Sequence, residues 1–521
     1  MAHDNPGYIL ILDIGSTFIK CAAFSIVESD ANTMGEKVKE KSLAFVGISR
    51  QPTPTVHNPQ LKSFEIDPEI LFSRILAVIE QCLADYYIDC GTVACMGITS
   101  QRGTFLTCDA ISCQPYQPFI SWKDGRAVNI AQTWSHSFVS RCVRLLGKGI
   151  TTVVDWNRAI IMSAIYFRPN HILPRLGWSI RNVPGLKQAI KDKEARLTLL
   201  DSWVLRKFTN GKSFKVDYSM ISCTGLFNPA TKRYSRPLLW VFNIPRTVLP
   251  EVVPTVSKQF GHIDENYFGF KRPISCMVAD QQAAAFGHFL VQPGDAKLTI
   301  GTGCFLNVNS GGKLVFDLPN NIYTIIGWTL DHVQSSVYLT ETQVDEFSRI
   351  VTQCFEKDLG LEQCREFPAA IGSLPYFLDR PWVFVSAEGN VVPEDDIPLE
   401  VQRYLVLEAL AFKIVFRIVL VNRLVHVKYP LRVDGGLSSL SLMLKIVATL
   451  VNGSLERSTM TEMTSFGAAL LAGMGAGFWD LRDVERMTAA VPKESIVPEE
   501  QWRTALAQRQ ALSQKLSLDF V

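Results

Sequence analysis

Two acidic, glycine-containing turns lie near opposite ends of the chain, and each follows an apolar run. The first is Asp13-Ile14-Gly15-Ser16-Thr17, between apolar residues 8–12 and 19–26, and the second is Val433-Asp434-Gly435-Gly436. A Gly-Ser-Thr turn presents backbone N–H groups and hydroxyls to an anion, and the Asp beside it can hold Mg²⁺ through water. Each turn alone could end an ordinary hairpin. Together they predict a nucleotide held between two lobes.

Length and composition predict a folded protein with more than one domain. A chain of 521 residues is too long for one core, and 47% hydrophobic with 20% charged residues is typical of globular proteins. The net charge of +2 favours neither nucleic acid nor an anionic membrane as the main partner. The 12 cysteines form no C-x-x-C pairs, which argues against structural zinc and favours a reducing compartment, the cytoplasm.

The sequence contains no predicted signal peptide or membrane span. Residues 1–7 are polar and lack a basic n-region. The most membrane-like segment, residues 405–426, is interrupted by Glu408, Lys413, Arg417 and Arg423. A span of about 20 residues should carry few or no charges, so we expect a buried helix there.

Alternating strand-like and helical patterns predict an α/β fold. Asp67 and Pro68 have the residue types of an N-cap and first helical position, which predicts a helix to about residue 87. Residues 217–254 look mostly loop-like, and a second α/β unit begins near residue 274. We predict an N-terminal domain over 8–265, a C-terminal domain over 274–480, and a helical tail over 481–521 with a surface helix at 499–516.

Four further segments suggest a known family. They are Gly97-Ile98-Thr99-Ser100-Gln101-Arg102, Ile120-Ser121-Trp122-Lys123-Asp124, Asp280-Gln281-Gln282-Ala283-Ala284 and Gly301-Thr302-Gly303. With the two acidic turns, their order and spacing resemble the FGGY carbohydrate kinases, in particular the glycerol kinases of the glycerol kinase 5-like branch. The resemblance covers roughly residues 8 to 480. It implies the two-domain actin/hexokinase-type (ribonuclease H-like) fold, with ATP and substrate in the cleft between the domains.

The resemblance also implies a role for each motif. Asp280 would be the general base for the attacking hydroxyl. The other substrate-binding residues would be Arg102, Gln281 and Trp122. The ATP-binding residues would be Ser16, Thr17, Lys20, Gly301, Thr302, Gly435 and Gly436. Asp13 would belong to the Mg²⁺ shell. Such a set supplies positioning and charge neutralisation, which phosphoryl transfer mainly requires.

Several of these residues also have a purely structural interpretation. Asp13 could cap a hairpin, and Asp280 could cap the helix predicted at 281–289. Arg102 could pair with a surface carboxylate, and Trp122 could be a core or lid residue. The surrounding motifs favour the functional interpretation for the two aspartates.

The chain departs from the family pattern at several positions. Gly103 stands where glycerol kinases have a glutamate that binds a glycerol hydroxyl, a hydrogen bond contributing roughly 1.5–3 kcal/mol. Lys20 replaces an arginine and loses its bidentate fork. Leu440 stands where the family has an asparagine near adenosine, and a family segment near residues 375–381 is missing.

These features leave three functional hypotheses. The leading one is an ATP- and Mg²⁺-dependent kinase of a small polyol, with glycerol converted to sn-glycerol 3-phosphate. The second is a pseudokinase that binds polyol or protein partners without turnover. The third is a kinase of another polyol or ketose. The sequence leaves homo-oligomerisation open and gives no indication of a nucleic-acid partner.

Overall fold

A computed structural model describes residues 7–33, 36–151, 157–269, 271–301, 303–330, 336–344, 346–365, 376–379 and 382–519. The strands up to residue 280 are β1 (Tyr8–Ile14), β2 (Phe18–Thr33), β3 (Glu36–Pro52), β4 (Thr55–Asn58), β5 (Ser63–Ile66), β6 (Val93–Ser100), β7 (Phe105–Asp109), β8 (Phe119–Ile120), β9 (Ala195–Leu199), β10 (Lys215–Asp217), β11 (Phe227–Asn228), β12 (Arg233–Tyr234), β13 (Glu251–Val253) and β14 (Ile274–Ala279). The later strands are β15 (Ala296–Ile300), β16 (Cys304–Gly311), β17 (Phe316–Asp317), β18 (Ile322–Thr329), β19 (Ser336–Gln343), β20 (Tyr376–Asp379), β21 (Trp382–Val385), β22 (Val391–Val392), β23 (Leu431–Asp434), β24 (Leu455–Ser458) and β25 (Lys493–Ile496).

The helices alternate with these strands along the chain. They are α1 (Pro68–Asp85), α2 (Val128–His136), α3 (Phe138–Thr151), α4 (Asn157–Ser163), α5 (Ile172–Asn182), α6 (Leu186–Lys191), α7 (Leu200–Phe208), α8 (Tyr218–Ser222), α9 (Arg236–Val241), α10 (Glu265–Phe268), α11 (Asp280–Gly287), α12 (Phe347–Glu356), α13 (Leu399–Asn422), α14 (Ser441–Val451), α15 (Met463–Ala476), α16 (Leu481–Ala489) and α17 (Arg503–Asp519).

The chain forms two compact units, and it enters the first one more than once. The first unit comprises residues 1–289, 324–338 and 462–490, and the second comprises 290–323, 339–461 and 491–521. A late segment, residues 462–490, thus returns to the first unit. The domain limits 8–265, 274–480 and 481–521 stay a prediction.

The main sheet of the first unit has the strand order β14-β6-β1-β2-β3. Strands β14, β6 and β1 run parallel, whereas β2 returns antiparallel to β1 as a hairpin. Apolar residues of β1 and β6 and of α1 and α7 share one core with little exposure to water. Helix α1 begins as predicted, because Asp67 Oδ1 accepts a hydrogen bond from the Ile70 N–H at 2.9 Å.

The second unit has its own core and contains most strands of an eight-stranded sheet of order β17-β18-β19-β16-β15-β23-β24-β25. Strands β15 and β23 are parallel neighbours, so their carboxyl ends lie at the same edge. Helix α13 packs in this core along most of its length, and residues 405–422 belong to it as a buried helix. In the part of the chain that the structure describes, no helix is long and apolar enough to span a membrane.

Two expectations from the sequence were wrong in detail. Residues 217–254 contain several short strands and helices, which short turn-rich segments do not reveal by periodicity. The predicted helical tail also includes strand β25, which pairs with β24 at the sheet edge. Its helix α17 is not simply a surface helix, because Leu506 and Arg509 are buried.

Candidate active site

Three parallel strands of the first unit end at one edge of the sheet, and each end carries a predicted site residue. The register pairs Asp13 with Thr99 and Ala279 with Ser100. Asp13, the Gln101-Arg102 segment and Asp280 therefore follow one another across this edge. Ligands of open α/β sheets bind at the carboxyl ends of parallel strands. The structure thus gathers residues that are far apart in the sequence into one candidate site.

The glycine-containing turn between β1 and β2 is tight. The Gly15 N–H donates to the Phe18 carbonyl at 2.9 Å, and Thr53 Oγ1 donates to the Gly15 carbonyl at 2.8 Å. Thr17 is exposed at the tip of this turn. The hairpin register places Lys20 opposite Asp13, which puts a cation next to the acidic residue.

Ser16 connects the predicted phosphate turn with the predicted substrate residue Trp122. The Trp122 Nε1–H donates to Ser16 Oγ at 2.9 Å, and Ser16 Oγ donates to Gln101 Oε1 at 2.7 Å. The Ser16 hydroxyl therefore orients the indole as well as lying in the turn. Gln101 is buried, and reasoning from the sequence assigned it no role.

A charged network surrounds Lys20. Its Nζ lies 2.8 Å from Glu462 Oε2 and 3.9 Å from Asp13 Oδ2, and Arg50 Nη2 lies 2.6 Å from Glu462 Oε1. Neither Glu462 nor Arg50 was predicted. The position of Glu462 directly before α15 is a weak signal, since an acid is favourable at a helix N-terminus. No local pattern indicates Arg50.

Asp13 has an environment that suits a cation. Burial raises the pKa of Asp13 to about 7, the nearby charges of Asp280 and Glu462 also raise it, and Lys20 opposes them. No group of three or more acidic, His or Cys ligands occurs among the described residues. Mg²⁺ needs only one or two carboxylates when phosphates and water complete its shell, so Asp13 and its surroundings fit this ion.

Asp280 is the first residue of α11, and its carboxylate has two neighbours of interest. Oδ1 accepts from the Gln281 N–H at 2.7 Å, and the Arg102 Nε lies 4.0 Å from the same oxygen. The side chain is 28% exposed, so a hydroxyl could reach it. The carboxylate thus bonds the N–H of the next helix residue and faces Arg102, a cation predicted to bind the substrate. The N-cap of α11 is Ala279, so Asp280 does not cap this helix.

Small residues hold α11 in place. A Cβ added to Gly467 of α15 would lie 1.9 Å from the Ala283 carbonyl oxygen of α11. The two helices therefore approach at backbone contact distance. This close packing positions the helix that begins with Asp280.

Gly103 lies in a backbone conformation that disfavours other residues. Its φ is +72°, and an added Cβ would lie 3.3 Å from both the Asn170 carbonyl oxygen and Trp122 Cβ. Its carbonyl accepts from Arg175 Nη2 at 2.6 Å. The buried Arg175 guanidinium bonds main-chain carbonyls of Gly103, Ile120, Ser121, Asn170 and His171. Arg175 thus ties together the two segments that carry Arg102 and Trp122.

The second unit positions the residues predicted to bind nucleotide. The Gly301 N–H donates to the Gly303 carbonyl at 2.8 Å, which closes the turn after β15; Thr302 lies outside the described residues. Gly435 has a φ of +92°, and a Cβ there would lie 2.4 Å from the Ile300 carbonyl oxygen. Only glycine fits that approach. Gly436 faces open space, so close packing does not require it to be glycine.

Two further residues, Lys297 and Leu440, lie near the predicted nucleotide-binding glycines in the sequence or the structure. Lys297 is fully buried, and its Nζ lies 3.4 Å from Asp434 Oδ2 beside the glycine turn. A lysine within an apolar strand was the sequence signal for it. Leu440 is 6% exposed and packs in the core, so it offers nonpolar contact where the family has a polar amide. Of residues 375–381, near which the family segment is expected to be missing, the structure describes only strand β20 (Tyr376–Asp379).

Residues 8–287 match the N-terminal domain of the FGGY family of carbohydrate kinases. The match covers more than half of the chain and includes Asp13, Gln101, Arg102 and Asp280. This chain belongs to the FGGY family of carbohydrate kinases. The resemblance expected from the motifs is therefore confirmed.

Curated relatives extend the similarity of this FGGY chain over nearly its whole length. It is 31% identical over 485 residues to glycerol kinase 5 of Gallus gallus, which covers 91% of this chain and 89% of that protein. It is 29% identical to glycerol kinase 5 of Homo sapiens, over 91% and 88%. It is 28% identical to glycerol kinase of Carboxydothermus hydrogenoformans, over 91% and 90%.

Solved structures confirm the predicted fold class of this FGGY chain. Glycerol kinase of Plasmodium falciparum, crystallised with ADP, has a TM-score of 0.78 at 21% identity and covers 98% of both chains. A xylulose kinase of Brucella ovis has a TM-score of 0.74 at 18% identity, over 98% and 99%. At these identities the likeness concerns the two-domain α/β fold alone.

Proposed function

We propose that this FGGY kinase transfers the γ-phosphoryl group of ATP to a hydroxyl of a small polyol, with glycerol the first candidate and sn-glycerol 3-phosphate the product. The observation that carries the proposal is the alignment of Asp13, Gln101-Arg102 and Asp280 along one sheet edge. That edge combines a carboxylate base with a cation and an acidic residue suited to Mg²⁺. The names of the curated relatives support the same class of substrate.

In this proposal Asp280 accepts the proton of the attacking hydroxyl. Its carboxylate is partly exposed and lies 4.0 Å from the Arg102 Nε, a distance that leaves room for a shared hydroxyl ligand. Gln281 and Arg102 would bond the remaining hydroxyls, and Trp122 would cover the carbon chain. Arg175 fixes the two segments that carry Arg102 and Trp122, which acts as positioning.

The phosphate side uses the turn at residues 15–17 and Lys20. Asp13 would hold Mg²⁺, which would supply positive charge to neutralise the phosphate groups. Lys20 supplies a second positive charge, and Glu462 holds its ammonium group by an ion pair of 2.8 Å. The raised pKa of Asp13 suits a carboxylate that ionises when a cation binds.

Gly301, Thr302, Gly435 and Gly436 would bind the nucleotide in this proposal. The close approach of Gly435 to Ile300 supports this role, because only glycine leaves the backbone of the turn uncovered there. Leu440 predicts weaker polar contact with adenosine than the family pattern provides.

A kinase of a polyol other than glycerol is the second candidate, and Gly103 favours it. The glycerol-binding glutamate of the family is absent. The positive φ of Gly103 disfavours a glutamate, or any other non-glycine residue, at this position. The substrate side therefore lacks the charged acceptor of a glycerol clamp. A protein without turnover is the third outcome that the following experiment distinguishes.

The deciding experiment is coupled ADP release by the purified chain with MgATP, with and without glycerol and with a panel of polyols and ketoses. Asp280→Asn is the test variant. Asp67→Asn is the matched control, because the Asp67 side chain likewise accepts a helix N–H in the first unit, but at the start of α1. We expect substrate-dependent release that falls at least about a hundredfold in Asp280→Asn and persists in Asp67→Asn.

Each outcome has a distinct meaning. Glycerol-dependent release lost in Asp280→Asn supports a glycerol kinase with this base. ADP release with another polyol, and none with glycerol, assigns that polyol as the substrate. No release with any substrate, together with no thermal stabilisation by MgATP, would reject the enzyme and leave a binding protein.

A further inference from the structure

Helix α3 carries four large apolar residues on the side that faces water. Phe138, Val139, Leu145 and Leu146 are 81%, 68%, 68% and 59% exposed. At 100° per residue these side chains form one continuous stripe along the helix. A surface helix normally turns such a stripe towards the core, so α3 shows the opposite arrangement.

The buried side of α3 explains this orientation. It consists of small residues, Ser140 and Gly147. A Cβ added to Gly147 would lie 2.4 Å from the Ser163 backbone nitrogen of α4. The helix is therefore held at backbone contact distance through its small face. Rotation to bury the large side chains would break that contact.

A second exposed apolar pair lies near the start of this region. Trp240 and Val241, at the end of α9, are 83% and 61% exposed. The next residue, Phe242, packs against Trp134 of α2 with ring centroids 4.4 Å apart. Helix α2 directly precedes α3. The exposed pair Trp240 and Val241 and the apolar stripe of α3 therefore both adjoin α2.

The charge of this segment is strongly one-sided. Residues 126–191 contain ten Lys or Arg and one Asp or Glu, whereas the rest of the chain contains 42 and 49. Arg141 and Lys148 are exposed on α3 and lie together along one edge of the apolar stripe. Two exposed cations, Arg141 and Lys148, therefore line the apolar stripe of α3, within a segment of the sequence that is strongly basic.

We propose that α3 docks this protein onto an anionic lipid surface, with the helix lying in the plane of the interface. The apolar stripe enters the headgroup boundary while Arg141 and Lys148 remain at the level of the lipid phosphates. This association is peripheral and agrees with the lack of a spanning helix among the described residues. It does not depend on the proposed catalytic activity.

Charge favours lipid over a second copy of the chain. A twofold contact through α3 would bring two strongly basic segments together, and like charges repel. An anionic bilayer instead offers an apolar interior for the stripe and negative headgroups for the cations at its edge. A self-associating α3 is therefore the competing outcome of the test.

The test is co-sedimentation of the full chain with vesicles of phosphatidylcholine alone or with about a third phosphatidylserine. We expect binding to the anionic vesicles that weakens severalfold when salt rises towards about 0.5 M. Leu145→Gln/Leu146→Gln and Arg141→Gln/Lys148→Gln should each lower the bound-to-free ratio about tenfold or more. Thermal melting checks that the variants remain folded.

The matched control is Tyr87→Gln/Ile111→Gln, which removes two residues that are 96% and 92% exposed outside α3. It should bind vesicles like the original chain. Absence of vesicle binding, equal binding to neutral vesicles, or unchanged binding by both α3 variants overturns the proposal. A dimer in light scattering that Leu145→Gln/Leu146→Gln dissolves, without vesicle binding, would assign α3 to self-association.

Discussion

Gly103 shows how one residue limits what the candidate site can bind. The glycerol kinases carry a glutamate at this position, whereas this chain has a glycine with a φ of +72°. Gly103 therefore lacks the side chain, and its backbone conformation disfavours any residue other than glycine. The Arg175 bond to the Gly103 carbonyl stabilises this loop.

We expect Gly103→Glu not to restore a glycerol clamp. The left-handed backbone costs a non-glycine residue roughly 1–2 kcal/mol, and the new Cβ would press on Trp122 and Asn170. The variant should lose stability and show no lower KM for glycerol. Thermal melting and polyol-dependent ADP release measure the two effects.

Gly185→Glu is the matched control for this prediction. Gly185 has a φ of +76° in the same unit, but its Cβ position meets nothing within 4 Å. It should show the backbone cost alone, with polyol kinetics unchanged. If Gly103→Glu tightened glycerol binding at no cost in stability, the loop would be more adaptable than its geometry indicates.

At the scale of elements, a buried ion pair joins α17 to α13 in the second unit. Arg509 donates to both carboxylate oxygens of Glu408 at 2.6 Å, and the Tyr404 hydroxyl donates to the same carboxylate at 2.8 Å. Both charged side chains are 3% exposed. The C-terminal helix is therefore part of the core of this unit.

Arg509→Met should destabilise the second unit by about 3–5 kcal/mol, because it leaves the Glu408 charge buried without its cation. The double variant Glu408→Met/Arg509→Met should recover most of this loss. Hydrogen exchange of α13 in the native protein measures the free energy of opening in both variants. Arg503→Met removes an exposed ion pair with Glu500, so it should change this free energy by less than about 1 kcal/mol. A double variant as unstable as the single one would argue against the ion pair as the cause.

At the scale of the whole molecule, residues near the C-terminus complete the first unit. Glu462 pairs with Lys20 across a separation of 442 positions. The segment that follows supplies α15, which packs on α11 and on the strands that end at the candidate site. The N-terminal family domain at residues 8–287 therefore lacks part of its own core when taken alone.

We expect a fragment of residues 8–287 not to unfold cooperatively, because α15 would be missing from the face of β1, β6 and β14. Urea denaturation followed by near-ultraviolet circular dichroism measures this. Joining residues 462–490 to the fragment through a flexible linker should increase cooperativity. A sharp transition of the unjoined fragment would show that α15 is dispensable for folding.

The family, the α/β class and the motifs that contain Asp13, Arg102 and Asp280 follow from the amino-acid sequence alone. Such features are local: apolar runs, glycine turns and a helix cap at Asp67 depend on neighbours a few residues away. They also indicated the buried helix at 405–426, since charges at intervals exclude a membrane span.

Only the tertiary structure decided how these parts combine. The pairing of Glu462 with Lys20, the Trp122–Ser16–Gln101 bonds and the buried position of Leu440 join segments whose separation no local pattern encodes. The overall charge of +2 likewise concealed the exposed apolar face of α3 and its basic surroundings. Which side of a helix meets water depends on its packing partner, and for α3 the small residue Gly147 allows α4 to approach closely.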